Sequence, residues 1–119
     1  MKIKFSSFAF RDGPAPEDAG AIIDCRAMRN PHHDPVLREL TGMSPDVQEF
    51  VRCDPKFKPK FDEAWRMAEH TGHVAFGCFG GRHRSVAMVE LLAREMKLGG
   101  HEVTIDHLAI HFPFSPSAS

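Results

Sequence analysis

The chain has 119 residues, 42% of them hydrophobic, and a formal net charge of -1, enough for one hydrophobic core and too short for two domains. That charge offers no global attraction to nucleic acid, and no apolar run approaches membrane-spanning length. Three cysteines without close pairs suit a reducing compartment better than a disulfide framework, and the N-terminus lacks a signal-peptide pattern, so a cytoplasmic protein is expected.

Lys2 to Phe10 reads as a first strand, the acidic and Pro-rich Asp12 to Asp18 as a loop, and Ala21 to Arg26 as a second strand. Asp34 to Leu40 is predicted as a short helix, Pro45 to Cys53 as a second opened by Ser44 as N-cap, and Pro59 to His70 as a third. In that third helix Phe61, Ala64, Trp65 and Ala68 form an apolar stripe at helical spacing, which core packing explains better than base stacking. Val74 to Gly77 suits a buried strand, and Val86 to Met96 repeats apolar residues at helical spacing through Met88, Val89, Leu92, Ala93 and Met96. Gly99-Gly100 ends that helix and Glu102 to Asp106 supplies a last strand. Alternating strands and helices imply an α/β fold: a small, single-domain, mainly parallel sheet flanked by helices, with Val74 to Gly77 central because it is apolar on both faces. One domain is expected over 1–112, with the Ser- and Pro-rich 113–119 as a disordered tail.

The most informative stretch is residues 73 to 85, His-Val-Ala-Phe-Gly-Cys-Phe-Gly-Gly-Arg-His-Arg-Ser, where an apolar run meets a Gly pair and a cationic cluster and a loop lies between a strand and a helix. Such a loop can cradle phosphate: Gly80 and Gly81 permit close backbone approach, the free N–H groups of the helix point at the anion, and Arg84 adds a planar fork. His83 and Ser85 could donate further hydrogen bonds, with Arg82 pointing out into solvent. No Walker or dinucleotide fingerprint is present. The stretch does match the Cys-x5-Arg-Ser loop of cysteine-dependent phosphatases through Cys78, Gly81, Arg84 and Ser85, in which a thiolate beside a helix N-terminus attacks phosphorus. That chemistry also needs an acid, for which Asp24 and Asp34 are candidates.

Upstream, Asp24-Cys25-Arg26 and Asn30-Pro31-His32-His33-Asp34 form a second constellation. Asp24 and Arg26 fall at a strand end, where polar groups converge on the ligand crevice of a parallel sheet. Asp24 and His32 could contact hydroxyl or amino groups of a small molecule; equally, Asp24 could pair with Arg26 or cap a turn. His107 and His111 have helical spacing, and His32-His33-Asp34 offers three metal-ligand types in a row, yet neither forms a recognised metal motif, and no metal or cofactor is expected. Cys25 and Cys53 read as small buried residues, and Lys56, Lys58 and Lys60 as solvated.

Taken together, Ser7-Phe8-Ala9-Phe10-Arg11, Asp24-Cys25-Arg26, Asn30-Pro31-His32, Asp34-Pro35, Leu40-Thr41-Gly42 and Gly77 to Ser85 resemble, in order, the C-terminal domain of the RapZ family, bacterial RNase adapters also described as nucleotide-binding proteins of the YvcJ type. The resemblance covers about residues 2 to 107. It implies a small α/β domain that binds an amino-sugar phosphate such as glucosamine-6-phosphate and takes part in RNA recognition. By matched position Asp24 and His32 would contact the sugar and Gly80, Gly81 and Arg84 the phosphate, with Arg26, Asn30, Cys78, His83 and Ser85 completing the pocket. Phe79 stands where the family often has threonine, which removes a hydroxyl. Arg82 matches a family lysine and, with Arg84, would retain charge for an RNA contact. The chain starts at the first strand of the family's C-terminal module and ends without the family's basic tail, so a stand-alone sensor or one part of an assembly is expected, partnered by a phosphorylated small molecule, by RNA or a protein, or by further copies of itself.

Overall fold

A computed structural model describes residues 1–110; the tail expected at 113–119, and His111, lie outside the described residues. Strands β1 (Lys2–Ala9), β2 (Ala21–Asp24), β3 (His73–Cys78) and β4 (Glu102–His107) and helices α1 (Pro45–Arg52), α2 (Phe57–Thr71) and α3 (Arg84–Leu98) follow in the order β1-β2-α1-α2-β3-α3-β4, so the strict alternation expected from the sequence holds only from α2 onward. The strands form one sheet in the order β2-β3-β1-β4, every pair parallel, with Phe5 opposite Val74 and Ile105, and Ile23 opposite Phe76. As the apolar run Val74 to Gly77 predicts, β3 is internal and buried along its whole length.

Strand alternation decides what each face meets. Ile3, Phe5, Ile23, Val74 and Phe76 point to one face and share a core with Val47, Ala64, Ala68, Met88, Leu92 and Met96 of the helices. Phe5 and Phe76, both fully buried, meet edge to face at 5.9 Å. On the other face His73 hydrogen-bonds Ser6 through Nε2 at 2.8 Å and lies 3.1 Å through Nδ1 from the Asp18 carbonyl. The β1–β2 connection therefore covers that face. Connection handedness accounts for this: β2 to β3 and β3 to β4 step across the sheet in one direction, β1 to β2 in the other, and right-handed crossovers put opposite steps on opposite faces. Among the described residues no helix is long and apolar enough to cross a membrane.

Ser44 caps α1 as expected, its Oγ accepting the Asp46 N–H at 3.3 Å. Helix α2 begins at Phe57, earlier than predicted. This leaves Pro59 inside the first turn, where a missing N–H breaks no helical bond. Where a helix is predicted over Asp34 to Leu40 there is instead a single 3-10 turn, Leu37–Glu39, preceded by another at Pro31–His33. Asp34 Oδ1 accepts from the N–H groups of Val36 at 2.8 Å and Leu37 at 3.2 Å, a local side-chain turn that competes with a continuous helix.

Candidate functional site

The adjacent strands β1 and β3 send their chains to opposite faces of the sheet, β1 into the covering loop and β3 into α3. That divergence opens a crevice at their C-terminal ends, where open parallel sheets place ligands. Arg11 N–H donates to the Phe79 carbonyl across it at 3.1 Å, and Cys25 N–H ties β2 to Gly77 at 2.7 Å. The segments singled out in the sequence, 7–11, 24–26 and 78–85, thus come together at one edge.

The loop is shaped by close backbone packing. Gly81 has φ +70°, and a Cβ there would sit 2.7 Å from Ala109 Cβ and 2.9 Å from Ala9 Cβ; Gly80 does not share the left-handed conformation. Among the described residues, the N–H groups of Gly80, Gly81, His83 and Ser85 donate to no backbone carbonyl, and the first helical bond runs from Ala87 N–H to the His83 carbonyl. The open donors of a helix start are therefore present at the crevice. Cys78 is fully buried at the end of β3, its Sγ 3.2 Å from Ser85 Oγ.

Several side chains stand differently from their sequence reading. Arg82, expected to point outward, is only 9% exposed: the turn at Gly42 docks on its backbone, Gly42 N–H donating to the Arg82 carbonyl at 2.8 Å. Burial lowers the pKa of its guanidinium, partly opposed by Glu39. Arg84 is 4% exposed and donates through Nη1 to the carbonyls of Arg26 at 2.9 Å and Met28 at 3.1 Å, so part of its fork braces the chain after β2. His83 is fully buried, and burial pulls its pKa down to about 4, against the carbonyls of Leu40 and Arg38. Among the described residues neither of its ring nitrogens has a hydrogen-bond partner. It is a neutral, polar group beside the start of α3.

Asp24 and Arg26 form an exposed pair, Nη2 to Oδ2 at 2.7 Å and Nε to Oδ1 at 3.0 Å. Asp24 Oδ1 also accepts the Arg26 N–H at 2.9 Å. The hydrogen bond with Arg26 holds the Asp24 carboxyl below, and the Arg26 guanidinium above, their ordinary ranges. Asn30 spends its side-chain oxygen on the His32 N–H at 3.0 Å, fixing the turn that carries His32. Phe79 is 46% exposed at the mouth of the crevice.

Two features of the site escaped the sequence reading. Arg26 Cζ lies 3.8 Å over the Phe10 ring, and Phe10 packs edge-on against Phe8 at 4.8 Å, above Gly77, where a Cβ would meet both rings. Gly42 is the other: a Cβ there would press on the backbone of the first turn of α3, which gives Leu40-Thr41-Gly42 a packing role under the loop. Elsewhere, His107 bridges Ser7 Oγ at 2.6 Å and Glu90 Oε2 at 2.8 Å. Ser7 is fully buried, so this chain ties β1, β4 and α3 together and leaves no hydroxyl open to a substrate. Among the described residues no group of three or more His, Cys, Asp or Glu side chains converges as a metal site would require.

The family model described as the RapZ C-terminal domain matches residues 1–111. Nucleotide-binding proteins from Acidiphilium cryptum, Acidithiobacillus ferrooxidans and Delftia acidovorans are 34%, 41% and 42% identical over 92%, 90% and 79% of this chain. The matched regions are 40%, 39% and 35% of those relatives, so the chain spans about two fifths of their length. The order of the motifs, the parallel sheet and the glycine-rich loop entering α3 agree with these matches, and the chain belongs to the RapZ C-terminal domain family.

Proposed function

We propose that this domain binds a phosphorylated small molecule at the C-terminal edge of its sheet, the phosphate on the Gly80–Gly81 loop and the start of α3, and that occupancy of the site alters contact with a partner. The observation that carries this reading is the set of N–H groups of Gly80, Gly81, His83 and Ser85 that, among the described residues, donate to no backbone carbonyl, around a left-handed Gly81 whose missing Cβ leaves no room for substitution. Arg84 adds positive charge and braces the wall formed by residues 26–28. Neutral His83 can donate to, or accept from, the ligand without bringing a like charge near Arg82 and Arg84. The resemblance points to an amino-sugar phosphate, and the name carried by the relatives points to a nucleotide; both belong in the ligand panel. A cytoplasmic setting agrees with the free thiols Cys25, Cys53 and Cys78. RNA as the partner is the weaker reading, since Arg82 has little exposed surface.

The test is a thermal-shift panel of inorganic phosphate, glucosamine-6-phosphate and nucleoside monophosphates against the protein and Arg84→Ala. Ligand that binds only the folded state raises the melting temperature with concentration, and goes on raising it logarithmically beyond saturation. A concentration-dependent rise lost in Arg84→Ala is expected; no rise with any phosphate would refute the proposal.

The short Cys78 to Ser85 contact favours a second reading, a phosphatase using Cys78 and Arg84. The thiolate would attack phosphorus, the alcohol would leave with a proton, and water would then hydrolyse the phosphocysteine. Turnover of p-nitrophenyl phosphate abolished by Cys78→Ser would support it, and binding without turnover would dismiss it.

A further inference from the structure

The ladder between β2 and β3 brings two sulfurs together beneath the loop. Ile23 lies opposite Phe76 and Asp24 opposite Gly77, and the Cys25 N–H continues the ladder to the Gly77 carbonyl at 2.7 Å. One residue further on, Cys25 stands beside Cys78. Strand alternation turns both side chains to the face that carries Ile23 and Phe76, and both are fully buried in the core those residues share. Neighbouring strands run about 4.8 Å apart, inside the roughly 4.4–6.8 Å between α-carbons that a disulfide spans. Both residues are thiols in the structure. Cys78 Sγ rests 3.2 Å from Ser85 Oγ in the first turn of α3, and the chain just after Cys25 supplies the Arg26 and Met28 carbonyls that hold Arg84. The pair therefore sits where two walls of the crevice meet.

We propose that Cys25 and Cys78 form an oxidative modification site: a peroxide converts them to a disulfide across the ends of β2 and β3, and that bond weakens the anion site. The Cys78 thiolate attacks a peroxide oxygen; an S–O bond forms, the O–O bond breaks, and the departing hydroxide takes the Cys78 proton and leaves as water. Burial, and Cys78 beside it, raise the pKa of the Cys25 thiol, so Cys25 keeps its proton and acts second. Its sulfur attacks the Cys78 sulfur; the S–S bond forms, the S–O bond breaks, and hydroxide leaves with the Cys25 proton as a second water. The two sulfurs give up one electron each and the peroxide takes both. Peroxide is little larger than water, and local opening at the ends of β2 and β3 suffices to admit it. As the sulfurs close to a bond of about 2.0 Å, Cys78 gives up Ser85 and the residue two places before Gly80 is drawn toward β2. Formation of the bond does not depend on the anion site proposed above; its effect on ligand does.

The test uses Cys53→Ser, which leaves this pair as the chain's remaining cysteines, with its melting temperature as a check on the fold. The folded protein is treated with hydrogen peroxide, alkylated with iodoacetamide in denaturant, and mapped by mass spectrometry. A linked Cys25–Cys78 peptide that dithiothreitol returns to two alkylated thiols is expected, and adding Cys25→Ala should abolish it and leave Cys78 as a sulfenic or sulfinic acid. Two alkylated thiols after peroxide, or an over-oxidised Cys78 beside an intact Cys25 thiol, would overturn the proposal. Inorganic phosphate is then titrated into both redox forms, and its affinity is expected to fall about tenfold on oxidation, the worth of one hydrogen bond to a charged group. Equal affinity in the two forms would overturn the link to the loop. No phosphate binding by the reduced form would overturn the anion site and that link with it, while the disulfide, read by mass alone, would stand.

Discussion

Replacing Gly42 by alanine adds one methyl group where the first turn of α3 leaves no space. The new Cβ would sit 2.6 Å from the His83 carbonyl oxygen and 2.7 Å from Val86 Cβ, and closer still to the Ala87 nitrogen. Two of these three are backbone atoms, so no flexible side chain can swing aside. Gly42 does not have a positive φ, and the cost is therefore steric alone. Relief requires the Gly42 turn and α3 to separate, which strains the bond from Gly42 N–H to the Arg82 carbonyl at 2.8 Å and that from Gln48 Nε2 to the Gly42 carbonyl at 2.8 Å. Overpacking of this kind costs about 1–3 kcal/mol and each weakened hydrogen bond about 1 kcal/mol, so a loss of about 3 kcal/mol is expected, or roughly a 12 °C drop in melting temperature at this chain length. Urea unfolding should show a lower midpoint with an unchanged slope, and phosphate binding should weaken because the same turn shapes the loop. A Gly42→Ala protein melting within about 2 °C of the unaltered chain would refute the packing argument, since that is under 1 kcal/mol.

Three further outcomes are expected. Unfolded histidine titrates near pH 6.5, whereas His83 in the fold does so at about 4; its contribution is complete above pH 6.5 and lost as the pH falls toward 4, by up to about 3 kcal/mol. His83→Gln should flatten that limb of a pH series of urea midpoints, and an unchanged limb would count against the buried neutral imidazole. In alkylation with iodoacetamide, Cys53, expected from the sequence to be buried but exposed in the structure near the end of α1, should react in the native protein, slowed because its hydrogen bond to Glu49 raises its pKa. Cys25 and Cys78, fully buried, should react after unfolding, and native labelling of Cys78 by mass spectrometry would contradict its placement. Ser7→Ala removes a partner of His107 and should cost about 1 kcal/mol, measured by urea unfolding; a neutral effect would show that the His107 bridge adds nothing to stability.

Strong local signals made most of the fold legible in the sequence. The apolar run at Val74 marks an internal strand, Ser44 before Pro45 marks a capped helix, and Gly99-Gly100 ends α3. Short-range chemistry that competes with periodicity was harder to see: Asp34 converts an expected helix into a 3-10 turn, and Pro59 marks the inside of a first turn and not its start. For the site, the strand-to-helix loop and the convergence of 7–11, 24–26 and 78–85 follow from the logic of a parallel sheet. Side-chain orientation does not. That Arg82 is covered, that Arg84 braces carbonyls at 26 and 28, and that Arg26 sits over the Phe10 ring all depend on contacts 16 to 58 residues apart in sequence, which no local pattern encodes. Gly42 is the clearest case, since its need for a hydrogen atom arises from a helix that begins at Arg84.

The central claim, that the Gly80–Gly81 loop and the start of α3 hold the phosphate of a small molecule, is tested most directly by amide chemical-shift mapping of the nitrogen-15-labelled protein during titration with AMP. The largest shifts, saturating together, are expected at Gly80, Gly81, His83 and Ser85. Saturating shifts centred elsewhere, or none in the loop at millimolar ligand, would contradict it.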